Sequence, residues 1–125
     1  MARHLTSTLV VWCTLLSTLH VAAASDKPQW YDHKSSWNGY DQFHFKLEER
    51  PAYVVVPNEA AEGNPWIWRA RFPNYHAEMD VQLLGKGFHV AYVDVAGMFG
   101  SPRAVEIGDS FYEFMTTKRH LSKRP

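Results

Sequence analysis

The sequence predicts an α/β domain: a mixed sheet in which an amino-terminal β-hairpin is followed by strand, helix, strand and helix. Three observations predict it. Phe43, Phe45 and Leu47 alternate with Gln42, His44 and Lys46, the period of a half-buried strand. Tyr53-Val54-Val55-Val56 and the run from Phe88 to Val95 are rich in β-branched and aromatic residues. Past Ser101, the residues Val105, Gly108, Phe111, Tyr112 and Met115 recur at helical spacing. A chain of 125 residues holds one small domain.

Residues 1–24 are set apart from that domain. Arg3 and His4 precede a short apolar run, Leu9 to Leu16, and Ala22-Ala23-Ala24 follows. Basic start, apolar stretch and small-residue site are the order of a secretory signal peptide, with cleavage expected after Ala24. Thr14, Ser17, Thr18 and His20 interrupt the apolar run. It is therefore shorter than the ~20 residues a membrane-spanning helix needs. Export to the periplasm or the medium is expected, with no membrane span once the peptide is cleaved. The single cysteine, Cys13, lies inside this segment. Residues 25–38 are polar and aromatic without periodicity and read as an irregular lead-in.

The elements then follow in order. Phe43 to Leu47 and Tyr53 to Val56 are strands separated by Glu48-Glu49-Arg50-Pro51, a turn, and together they read as an antiparallel hairpin. Pro65 opens a third strand, Trp66 to Phe72, stopped by Pro73. Ala77 to Lys86 reads as a helix with Met79, Leu83 and Leu84 on its buried face and Gly87 as its stop. Phe88 to Val95 is apolar on both faces except at His89 and Asp94, as in a central covered strand. Ser101-Pro102 supplies an N-cap and a first-turn proline for the last helix. Lys118, Arg119 and His120 fall in its final turn, where cations suit the helix dipole. Strand, helix and strand at this spacing predict a parallel pair.

Composition excludes several function classes. Lys and Arg total 13 and Asp and Glu total 13, so the basic excess of a phosphate-neutralising nucleic-acid binder is missing. One cysteine excludes a disulfide scaffold, and the histidines show no metal-ligand spacing, so neither a metal nor a cofactor is expected. No Gly-x-Ser-x-Gly, His-Glu-x-x-His, Walker or Gly-x-Gly-x-x-Gly sequence occurs. Gly108-Asp109-Ser110 copies the opening of the Gly-Asp-Ser hydrolases, but periodicity puts Ser110 within a helix. Asp94, at the carboxyl end of a strand, either borders a ligand or caps the following loop. Arg69 and Arg71 share a strand face and need carboxylate partners or a ligand anion. His89 reads as a satisfied core group and His44 as a solvated one.

The stretches Gly63-Asn64-Pro65-Trp66-Ile67-Trp68-Arg69-Ala70-Arg71-Phe72, Leu83-Leu84-Gly85-Lys86-Gly87-Phe88-His89-Val90-Ala91-Tyr92-Val93-Asp94 and Gly100-Ser101-Pro102 come in a familiar order. Together they resemble the amino-terminal half of the α/β-hydrolase superfamily, in particular its secreted esterase-like and prolyl-oligopeptidase-like members. The resemblance covers residues 37 to 122. It implies that residues 39–125 are an incomplete α/β-hydrolase-like domain. The family's nucleophile follows its fifth strand, and one oxyanion-hole N–H comes from the loop after its third. Only that loop maps onto this chain, at Ala70, Arg71 and Phe72, with Arg69 and Asp94 nearby; the serine and histidine have no counterpart here.

The resemblance implies the amino-terminal fragment of a secreted serine hydrolase acting on ester or amide bonds, of unknown substrate and inactive alone. The bare edge of its third strand invites self-association. An alternative is a small secreted module that binds carbohydrate or peptide on exposed Trp30, Trp37, Trp66 and Trp68. Amino-terminal sequencing of the exported protein is expected to start at Ser25; a retained Met1 in a membrane fraction would overturn the assignment of residues 1–24.

Overall fold

In the computed structural model the described residues are 29–125, so the signal-peptide assignment lies outside them. Five strands form one sheet: β1 (His33–Trp37), β2 (Tyr40–Leu47), β3 (Arg50–Val56), β4 (Trp66–Trp68) and β5 (His89–Val93). Their spatial order is β1-β2-β3-β5-β4. β1, β2, β3 and β5 pair antiparallel in succession, and β4 pairs parallel with β5. Helix α1 (Glu78–Gly85) links β4 to β5, and α2 (Pro102–Glu113) follows β5. The chain is thus α/β with a mixed sheet, as expected.

Strand alternation divides the core between the two faces of the sheet. Ala52, Val54, Ala91, Val93 and Trp66 pack against Ile107, Phe111 and Met115 on one face. Val55 and Val90 pack against Leu84 of α1 on the other, flanked by Tyr53 and Ile67. Each face therefore has its own helix. β5 is buried nearly end to end, with Ala91 and Val93 fully enclosed, as a strand covered on both sides requires.

Several elements depart from the sequence reading, each for a local reason. The stretch expected as an irregular lead-in contains β1. Its residues are polar because β1 is an edge strand, and its partner β2 supplies the pairing. The turn between them is Asn38-Gly39, with φ of 48° and 83°, the left-handed pair a two-residue hairpin needs. The strand expected over 66–72 stops at Trp68. Phe72, Asn74 and His76 all take positive φ, which breaks the extended backbone. Met79, expected on the buried face of α1, is 62% exposed, and Val105 of α2 is 56% exposed. The last helix changes pitch: a π-helical turn covers Phe114–Lys118, so Arg119 and His120 follow it rather than ending an α-helix.

Other local expectations hold. Ser101 Oγ accepts from Ala104 N–H at 3.3 Å, and Pro102 follows it at the helix start. Gly87 ends the α1 segment with φ +87°. A side chain there would meet the loop before β4: a Cβ would lie 2.5 Å from Ala61 N and 2.9 Å from Glu59 O. That backbone approach is sealed by Ala61 N–H donating to Gly87 O at 3.0 Å.

Gly87→Ala is expected to destabilise by about 3 kcal/mol, from left-handed strain plus a backbone clash. Gly85→Ala serves as the comparison. Its Cβ would meet only Tyr40 Oη at 3.7 Å, and the change is expected to be neutral or stabilising by up to about 1 kcal/mol. Urea melts of the two variants check the contrast.

Candidate functional site

The carboxyl ends of β4 and β5 open onto two loops, 69–77 and 94–101. Ligands of open α/β sheets sit at such ends. Arg69 begins the first loop while still joined to the sheet, its N–H donating to Ala91 O at 2.8 Å. Its side chain turns to Asp80 in the first turn of α1. Nε stands 3.1 Å from Asp80 Oδ2, but that N–H is not aimed along the line, so the contact is an ion pair rather than a formed hydrogen bond. Nη2 donates to the carbonyl of Tyr75 and, at 3.4 Å, to that of His76. Arg69 thus pins the loop to the helix. Burial pushes the Asp80 carboxyl up, and the Arg69 charge opposes it. Tyr53 lies under the same pair; burial first, then the Asp80 charge, push its hydroxyl up to about 12.

Asp94 caps the second loop. Its Oδ1 accepts from Ala96 N–H at 2.9 Å and from the Tyr92 hydroxyl at 3.3 Å. Arg50 reaches it from β3, with Nη2 3.5 Å from Oδ2 and Nε donating to the Asp94 carbonyl at 2.7 Å. Arg69 and Asp94 are therefore both consumed by structural contacts. Arg71 does not share a face with Arg69, because the strand has ended; its guanidinium lies 5.1 Å from the Phe72 ring centre. Ala70, Arg71 and Phe72 are exposed, and among the described residues their three backbone N–H groups have no hydrogen-bond acceptor. Free consecutive N–H groups beside a strand end are the raw material of an oxyanion site.

Ser110 lies within α2, away from those loops. Its hydroxyl donates to Glu48 Oε1 at 2.5 Å, and Arg103 donates to Glu48 Oε2 at 2.5 Å. These bonds hold the Glu48 carboxyl below its usual range, the Ser110 bond contributing most. They anchor the Glu48-Glu49 turn, whose φ values of 47° and 63° are unusual for non-glycine residues. Ser110 is thus a hairpin anchor.

The sequence reading missed one serine–histidine contact and mistook one histidine. His44 is half-buried rather than solvated, and its Nε2 lies 2.9 Å from Ser35 Oγ across the β1–β2 pair. The signal was present in the Asn38-Gly39 turn, which fixes the register and sets Ser35 opposite Gln42, beside His44. The pair lacks the rest of an acyl-transfer site. The His33 ring stacks on His44 at 4.2 Å, and among the described residues no carboxylate holds the second ring nitrogen. Burial, followed by the His33 charge, lowers the His44 pKa and weakens it as a base. The surrounding backbone belongs to the β1–β2 ladder.

The tryptophans do not form an exposed platform. Trp66 is 1% exposed, and Trp68 packs on Phe111 and against Gly108. Trp30 lies on Phe43, Phe45 and Phe114, and Trp37 packs beside the α1-side core with Nε1 bonded to Asn74. No cluster of three or more potential metal ligands exists among the described residues. Nor is any helix among them long and apolar enough to cross a membrane. Comparison with models of protein families, with curated proteins and with solved structures found no match to this chain.

A serine-directed fluorophosphonate is expected to leave the purified chain unlabelled. Labelling abolished by Ser35→Ala would make the Ser35–His44 pair a working nucleophile and base. Labelling abolished by Ser110→Ala would do the same for the Gly-Asp-Ser stretch.

Proposed function

We propose that residues 39–125 form the amino-terminal half of an α/β-hydrolase core, belonging to an exported serine hydrolase that acts on ester or amide bonds. The observation that carries this reading is the threading of β5 between β3 and β4. A hairpin leads in, β5 is antiparallel to one neighbour and parallel to the other, and one helix covers each face. That order is the one the resemblance implies for its first four strands, with β1 added outside.

In this reading the chain contributes scaffold and oxyanion donors. The N–H groups of Ala70, Arg71 and Phe72 would face the developing negative charge of a tetrahedral intermediate, where preorganised donors matter most. Arg69 with Asp80, and Asp94 with Arg50, fix the two loops that border the reacting groups. The acyl-serine and its base come from other sequence, so this chain alone has no acyl-transfer activity.

The edge of β4 gives a physical test. Among the described residues β4 pairs only with β5, and Trp66-Ile67-Trp68 carries no charge to deter a second strand. Sedimentation is expected to show species above one chain's mass, increasing with concentration, and Ile67→Lys is expected to reduce them. A dilute monomer with one sharp cooperative melt would sink the reading. So would a complete coding sequence with no Gly-x-Ser-x-Gly beyond codon 125.

A further inference from the structure

At the opposite end of the sheet, near the start of β5, lies a cavity of about 280 Å³. Its apolar wall is Trp30, Phe43, Val54, Val56 and Leu121. Two polar side chains complete it, His89 and Arg119. Sites for small organic ligands have this composition, and they usually begin at about 300 Å³, so the occupant is small.

The two polar groups are unlike ordinary core residues. His89 is 7% exposed. Its Nδ1 lies 3.2 Å from the Pro65 carbonyl, and its other ring nitrogen has no protein partner among the described residues. Burial lowers its pKa, the Pro65 hydrogen bond opposing, and a carbonyl partner can only accept, so Nδ1–H is the donor in that contact. Arg119 is half-buried, and its guanidinium lies 4.0 Å from the Trp30 ring centre. Among the described residues no carboxylate pairs with it, and burial lowers its pKa. A half-buried cation without a carboxylate partner, held over an aromatic ring, has N–H groups left for a planar anion.

The backbone also presents Arg119 deliberately. The π-helical turn Phe114–Lys118 alters the helical phase just before it, and Leu121 N–H closes back on Met115 O at 3.0 Å. Such turns recur at functional sites because they re-aim the side chains that follow.

We propose that this cavity binds a small amphiphilic carboxylate, its short aliphatic chain against Trp30, Phe43 and Leu121 and its carboxylate on Arg119. The inference stands on this cavity alone and is independent of the hydrolase reading, because none of its residues belongs to the loops at the other end of the sheet.

Calorimetric titration of the full chain with octanoate and with octylammonium tests it. The two ions share a chain length and differ in the sign of the head group, so the comparison needs no variant. Octanoate is expected to saturate at one per chain, and octylammonium to bind at least about tenfold more weakly. Arg119→Gln should weaken octanoate by about tenfold with the near-ultraviolet circular dichroism unchanged, and Arg119→Lys should restore part of the affinity. Equal binding of the two ions, absence of saturable octanoate binding, or octanoate binding indifferent to Arg119→Gln would each overturn the proposal.

Discussion

The structure depends on one strand. Among the described residues β5 is the only strand whose two neighbours run in opposite senses, antiparallel on the β3 side and parallel on the β4 side. Parallel pairing cannot be closed by a tight turn, so the connection from β4 must travel over a face of the sheet, and α1 is that connection. Once α1 covers one face, the chain leaving β5 must cover the other, or the apolar side chains of Ala91 and Val93 would face water. The amphipathic α2 does so with Ile107, Phe111 and Met115. Gly87 makes the arrangement geometrically possible, because only a residue without Cβ lets α1 turn into β5 against the Ala61 backbone.

This dependence explains what was legible in the sequence. β5, α2 and the hairpin strands carry strong periodicity because they bury apolar side chains, and burial is what periodicity records. β1 carries none, since apart from Trp37 it contributes pairing rather than core; only its turn, Asn38-Gly39, announces it. The expected third strand exceeds the observed one because Trp66-Ile67-Trp68 is β-favouring and Pro73, after Phe72, is the next break the sequence marks. Arg69 still bonds to Ala91 O, and the chain leaves β5 beyond it, where Phe72, Asn74 and His76 take positive φ, a break that no local apolar pattern marks. Met79 and Val105 show the converse: each fits a helical stripe, yet each side chain is exposed.

The candidate site was legible by position and not by role. Asp94 was correctly located at a strand end, but its capping of Ala96 and pairing with Arg50 depend on a residue far away in β3. Arg69 and Arg71 look alike in sequence, and a single backbone break gives one a buried carboxylate and the other an exposed aromatic ring. The Ser35–His44 contact was illegible because it needs the register of a strand that the sequence scarcely marks. The tryptophans are ambiguous in a different way. Exposed aromatic platforms and aromatic cores have the same composition, and only packing distinguishes them.

Beyond these structural contacts lies an asymmetry in which polar groups lack a protein partner. At the carboxyl end of β4 and β5 the free groups are backbone donors, the N–H groups of residues 70 to 72. At the amino end of β5 the group without a carboxylate partner is a side chain, the Arg119 guanidinium. Elsewhere among the described residues, buried charge is matched: Arg69 finds Asp80, and Arg50 finds Asp94. Arg119 could have been matched as cheaply, by one acidic residue in the neighbouring π-helical turn, where Thr116, Thr117 and Lys118 stand instead. A half-buried cation with no carboxylate partner, set beside an apolar wall, is a place where a ligand carboxylate can supply the missing charge. The same reasoning applied to the donors of residues 70 to 72 is weaker, since they are exposed and water satisfies them. Of the two ends, the amino-end cavity therefore shows the stronger physical commitment to a bound anion, and the carboxyl end shows the geometry of a reaction that other residues must complete.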